Sequence, residues 1–195
     1  MNRMLYQLSY AAVLLPHIVT AKQIIKEKVL FVNSFSKIII FLLGLIKELC
    51  QDILAPGDNM KLWEDIVIIC IGGTLYVMLE HLWRGYSHWS MFLVGGLCFL
   101  LIGRLDTWNP AMPVAGQAIL GSCIVTAMEL TSGMIFNVWL GMNVWDYSSQ
   151  PLNFRGQICL TYFVLWIPVS VAAIFTENFV RKLLFSTPLP SYRWF

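Results

Sequence analysis

The stretch Ile66-Val67-Ile68-Ile69-Cys70-Ile71-Gly72-Gly73-Thr74-Leu75-Tyr76-Val77-Met78-Leu79-Glu80-His81-Leu82-Trp83 holds one charge, Glu80, close to its end. As a helix rising about 1.5 Å per residue it reaches roughly 27 Å, close to the thickness of a bilayer's hydrocarbon layer. It predicts a membrane span over 66–83. The composition agrees, since the 195 residues are 58% hydrophobic and 12% charged, where soluble domains carry about 25% charged residues. Mean hydropathy is +0.69. A soluble monomer does not fit these figures, and a net charge of +2 offers no basic surface for nucleic acid.

Beyond that span, 89–103 is a second apolar run, closed by Arg104, Asp106, Asn109-Pro110 and Pro113. Its Gly95-Gly96 pair allows close helix approach. A third run, 113–139, is long enough to span with tilt and carries Glu129 inside the membrane. A fourth, 158–175, contains Pro168, which a membrane helix tolerates where neighbouring groups satisfy the freed backbone. The expected fold is all-α, an integral membrane bundle of four transmembrane helices (60–195) behind an N-terminal amphipathic helical extension (1–59).

Lys61, Arg104, Arg181, Lys182 and Arg193 fall on one side of this bundle, and Arg84 and Arg155 on the other. The positive-inside bias then predicts a cell-membrane protein with both termini cytoplasmic. Trp83, Trp89, Trp139 and Trp145 gather at the outer interface, where an indole buries its ring and keeps its N–H wet.

In residues 1–59, Lys22, Lys26, Lys28, Lys37 and Lys47 interrupt every apolar run before it reaches spanning length. The polar residues between Val29 and Leu54 fall largely on one stripe, which predicts an interfacial amphipathic helix facing lipid headgroups. The alternative is a fifth span over 29–46, which places Lys37 at mid-membrane at a cost of about 2.5–3.5 kcal/mol. Ala55-Pro56-Gly57-Asp58-Asn59 reads as a turn-forming linker. Translation from Met60 rather than Met1 would make 1–59 an upstream extension.

The five cysteines, at 50, 70, 98, 123 and 159, form no C-x-x-C pair, and neither they nor His17, His81 and His88 have zinc-ligand spacing. No metal or cofactor is expected. There is no phosphate-cradling P-loop and no nucleophile elbow, so the chain is not expected to hydrolyse ATP or to be an enzyme. Its ionisable residues are gathered instead. On the third span Ala118, Ser122, Thr126, Glu129, Gly133 and Asn137 step along one helical face, and on the first Gly73, Tyr76, Glu80 and Arg84 do the same. These two faces are expected to pack together. With Asp146, Asn153, Arg155 and Gln157 they form an outward polar cap. It reads either as a site for a small polar substrate or ion, or as a structural clasp in which Arg84 and Arg155 neutralise Glu80 and Glu129. The segment 141–157 is dense in turn-forming residues and is expected to be ordered.

Glu129-Leu130-Thr131-Ser132-Gly133, Trp145-Asp146-Tyr147-Ser148, Pro151, Asn153, Gly156 and Cys159-Leu160 together resemble the bacterial Putative ABC-transporter type IV family over about residues 60–180. The family consists of small multi-pass membrane proteins named as permeases. The resemblance singles out Glu129, Gly133, Trp145, Asp146, Tyr147, Pro151, Asn153 and Gly156. It implies a permease-like subunit without its own ATPase, working in the lipid bilayer as a homo-oligomer beside a separate ATPase subunit. The alternative is a holin-like or scaffolding membrane protein of a mobile element.

Overall fold

The structure, a computed structural model, describes residues 59–195 together with Lys22, Gln23 and Lys26, which are helical and exposed. The amphipathic helix expected within 29–54, the alternative span over 29–46 and the choice between Met1 and Met60 lie outside the described residues. The elements described below belong to the unit Leu54–Phe195.

Helix α1 is Asn59–Arg84, α2 is Trp89–Gly103, and the short α3, Leu105–Trp108, extends it. Helix α4, Val114–Gly133, continues as a π-helical turn, Met134–Trp139. A small antiparallel hairpin, β1 (Asn153–Phe154) with β2 (Ile158–Cys159), leads into α5, Leu160–Phe185. Among the described residues, four segments are long and apolar enough to cross a membrane: Lys61–Arg84, Trp89–Trp108, Val114–Trp139 and Leu160–Phe185. The expected all-α bundle of four such helices is therefore present.

Helix α1 lies antiparallel along α2, α4 lies along α5, and α2 touches both members of the second pair. The α1–α2 crossing is close because the sequence supplies glycine where the helices meet. Tyr76 stands over Gly95 and Phe99 over Gly72, while the Phe92 and Ile69 carbonyls occupy the space that a Cβ on Gly73 or Gly96 would need. Cys98, Ile102, Val125, Trp166 and Ile174 form the central core. The Ser122 hydroxyl donates to the Phe163 carbonyl at 2.5 Å, one turn before Pro168. The C-terminal segment returns to α4, whose Val114 N–H donates to the Arg193 carbonyl at 2.7 Å. That bond satisfies one of the donors a helix start leaves open.

The α1–α2 turn, the 140–159 segment and the start of α5 share one end of the bundle, called here the loop end. The start of α1, the α2–α4 connection and the end of α5 share the other, the terminal end. Two features differ from the sequence expectation. The fourth helix does not stop at 175: it runs on to Phe185, and Glu177 and Arg181, both buried and paired with each other, hold the first turns of this extension within the bundle. The polar faces of the first and third spans do not pack directly. Tyr76 of the first face packs on Trp166 of α5, ring centroids 6.1 Å apart, and Tyr76, Glu80 and Arg84 face Glu129 across a cavity.

Candidate functional site

The spacing on α4 places Ala118, Ser122, Glu129, Gly133 and Asn137 in the interior, with Thr126 half-buried. Glu129 is 7% exposed. Its Oε1 accepts a hydrogen bond from the Tyr147 hydroxyl at 3.1 Å and its Oε2 one from the Trp166 indole N–H at 2.9 Å. No cation pairs with it among the described residues. An ionised carboxylate has about four acceptor positions, so two donors leave capacity on both oxygens. Burial, followed by the neighbouring Glu129 carboxylate, pushes the Tyr147 phenol well above its ordinary value and keeps it a donor.

One turn on, the helix passes into the π-helical turn, a local device frequent at functional sites, and within it Asn137 is buried. Every polar atom of this amide is used. Its Nδ2 donates to the Trp145 carbonyl at 3.0 Å and to Gln157 Oε1 at 2.8 Å, while its Oδ1 accepts from the Val144 N–H at 2.7 Å. Asn137 thus holds the loop down on the bundle. Trp145 is buried, with its indole N–H on the Gln157 carbonyl at 3.0 Å. It is part of the packing rather than an interface anchor, which corrects the sequence expectation, whereas Trp83, Trp89 and Trp139 are exposed. Gly133 lies directly under this assembly, where a Cβ would stand 2.5 Å from Gln157 Oε1 and 3.0 Å from the Trp145 ring.

The remaining loop residues shape backbone. Asp146 Oδ1 accepts from the Ser148 N–H at 2.8 Å and the Ser148 hydroxyl at 2.5 Å, and these two bonds, the side-chain one foremost, hold its carboxyl below the ordinary range. Asn153 donates to the carbonyls of Ser148 and Gln150 and accepts from the Gly156 N–H. Pro151 sits in the exposed turn before the hairpin. Arg155 and Gly156, at φ 51° and 67°, form the hairpin turn closed by the Gln157 N–H on the Phe154 carbonyl at 3.0 Å. This turn leaves Arg155 exposed, its guanidinium 6.0 Å from the Phe154 ring centroid and outside any ion pair with Glu129. The clasp reading therefore holds only for the first span, where Arg84 Nη2 bonds Glu80 Oε1 at 2.8 Å. The Ser87 hydroxyl takes Glu80 Oε2 at 2.5 Å, and Arg84 Nη1 reaches the Val144 carbonyl at 3.2 Å.

Between these groups lies a cavity of about 280 Å³, with Glu80, Arg84, Glu129, Tyr147 and Trp166 toward its loop end. Of the candidate residues, it brings together Glu80, Arg84 and Glu129, with Tyr147 and Trp145 from the loop. Asn137 supports it from behind, and Asp146, Asn153 and Arg155 belong to the loop's own architecture. No group of His, Cys, Asp and Glu suited to a metal occurs among the described residues.

The profile of the family described as Putative ABC-transporter type IV matches residues 62–194. The chain belongs to that family. No curated protein and no solved structure matches it. The match takes in the four apolar helices and the loop, so this member of the family is a membrane protein whose family-matched region contains the cavity and its covering loop.

The terminal end of this type IV family member holds a second buried charge cluster that the sequence reading missed. Glu177 is 0% exposed. Arg181 pairs with Glu177 on its own helix and reaches Asp65 at 3.5 Å and Glu64 at 3.7 Å, while Arg104 pairs with Asp65. The i, i+4 spacing of Glu177 and Arg181 was the available signal.

Proposed function

We propose that this chain is the permease-like membrane subunit of an ABC-type transport system, non-enzymatic and without its own ATPase. It works as a homo-oligomer beside a separate nucleotide-hydrolysing subunit, in a bacterial cell membrane with both termini cytoplasmic. The observation that carries the reading is the cavity bordered by a buried carboxylate that no cation pairs among the described residues. Intramembrane carboxylates are costly to keep and characteristically line a substrate or ion path, and Glu129 is held by donors that fix its position without neutralising it. The excess of Lys and Arg at the terminal end supports the orientation.

The test is purification of the full chain from its native membrane in mild detergent. A co-purifying subunit whose ATPase activity requires this chain, and whose coupled flux is lost in Glu129→Gln, supports the proposal. A chain that purifies without such a subunit and lyses cells on overproduction overturns it in favour of a holin-like pore. Orientation is tested in a cysteine-free background. An impermeant thiol reagent added outside should label a cysteine placed at Ser149 and spare one at Thr107, and the reverse pattern inverts the topology.

A further inference from the structure

We propose that the crevice between α1 and α5 binds a single-chain amphiphile with a cationic headgroup, an alkylammonium, and that this is the substrate class of the transport reading above, on which it rests. The 280 Å³ cavity and a neighbouring one of about 240 Å³ share Tyr76, Glu80, Arg84, Tyr147, Trp166 and Val169, so they form one continuous crevice along these helices. Its lining on α5 extends from Trp166 to Thr176, about 15 Å along a helix. A crevice drawn out over such a length suits an extended alkyl chain.

The crevice is also polarised along its length. Glu80, Arg84, Glu129 and Tyr147 stand at the loop end, whereas Leu75, Met78, Val169, Ala172 and Ala173 line the deeper part, interrupted only by the small hydroxyls of Ser170 and Thr176. Leu79 and Leu165, exposed by 42% and 39%, form a rim on the lipid side. A molecule already dissolved in the bilayer therefore has a lateral way in.

The sign of the headgroup follows from charge. Among the described residues, two carboxylates and one guanidinium line the crevice, and the guanidinium is committed to Glu80 at 2.8 Å. Glu129 is the carboxylate left without a cation among them. A cation beside it supplies the neutralisation that the phenol and indole do not, whereas an anion meets repulsion and a neutral group leaves the charge unanswered. The rings of Tyr76, Tyr147 and Trp166 surround the same volume, and aromatic faces attract alkylammonium groups, most strongly when water is excluded.

The test uses the full chain in phosphatidylcholine nanodiscs with radiolabelled dodecyltrimethylammonium, corrected for uptake by empty nanodiscs. The expected result is saturable binding near one per chain that dodecyl sulfate does not displace, with tetramethylammonium, which lacks the tail, weaker by about tenfold or more. Glu129→Gln should weaken dodecyltrimethylammonium by about tenfold or more. Ala173→Trp, which fills the tail region away from the carboxylate, should weaken the dodecyl compound while leaving tetramethylammonium binding unchanged. Partition into lipid with no saturable component overturns the proposal, as does equal displacement by dodecyl sulfate. So does unchanged affinity in a monodisperse Glu129→Gln protein. If Glu129→Gln fails to fold, the wild-type competition and Ala173→Trp still decide. Saturable binding by a chain that co-purifies with no ATPase subunit from its native membrane keeps this inference and overturns the transport reading, whereas a coupled ATPase with no alkylammonium site overturns the inference alone.

Discussion

At the terminal end, Glu177 is buried against Arg181, and Arg181 and Arg104 both reach Asp65. At the loop end, Glu129 is also buried but is met by a phenol and an indole, with open volume beside it. In the first case side chains of the bundle neutralise one another and join α1, α2 and α5. In the second the protein supplies hydrogen bonds and leaves the charge itself uncompensated. Burial alone therefore does not separate a strut from a site. The separating feature is whether the protein completes the neutralisation of the charge it buries, and substitutions at the two ends should cost stability in one and activity in the other.

The largest stability effect is expected from Arg181→Met, which leaves Glu177 buried without its partner. Breaking a buried ion pair from one side costs about 3–5 kcal/mol, to be measured by detergent-driven unfolding. The double variant Glu177→Gln with Arg181→Met should recover most of that loss. If the single variant unfolds like the wild type, the terminal cluster is not a fastening and the contrast between the ends fails.

Asn137→Ala is expected next, since it strands the Val144 N–H, the Trp145 carbonyl and the Gln157 side chain. Unsatisfied buried polar groups cost about 1–3 kcal/mol each, partly recovered by relaxation. The damage should be local, read as loss of amide protection and new protease cleavage across 140–159 while α1 and α2 stay protected. Equal loosening of both regions would show that the loop and bundle fold as one unit.

Glu129→Gln sharpens the comparison most, because it should change stability by only about 1 kcal/mol while removing coupled flux. Gln keeps the shape and one acceptor for Tyr147 or Trp166. A loss comparable to that of Arg181→Met would make Glu129 a second strut.

Much of this contrast was legible in the chain, and the part that was not has a common cause. Four apolar runs of membrane length gave the bundle, Gly95-Gly96 marked the close crossing, and a 3.6-residue period put Glu129 and Asn137 on the inner face. Periodicity describes one element at a time, however. Arg181 and Asp65 stand 116 positions apart, and nothing local to either announces the other, so the sequence reading ends the fourth run at 175 and misses the cluster around Glu177. Trp145 had the sequence context of an interface anchor, but the acceptor that buries it is the Gln157 carbonyl across the loop. Arg155 looked available to neutralise Glu129 until the positive φ of its turn set it facing outward. The π-helix at Met134–Trp139 disturbs the regular period on which the reading relied.

The smallest effect is expected at Asp146, a family-motif residue that is exposed rather than buried. Its carboxylate organises the turn by accepting from both polar groups of Ser148, and those bonds lower its affinity for a proton in the folded loop. A carboxyl depressed by folding adds order above its ordinary value and loses it as the pH falls through the depressed one. Protection of the Ser148 amide, normalised to intrinsic exchange, should therefore hold down to the ordinary aspartate value of 3.8 and fade only below it. Asp146→Ala should remove that protection at every pH while leaving the hydrogen bonds of Asn137 and the unfolding of the bundle unchanged. Protection that survives the substitution would assign the turn to Asn153, whose amide spans the same stretch. Protection lost together with that of Val144 would mean that the exposed turn and the buried anchor are coupled, and that the loop end is built as rigidly as the terminal one.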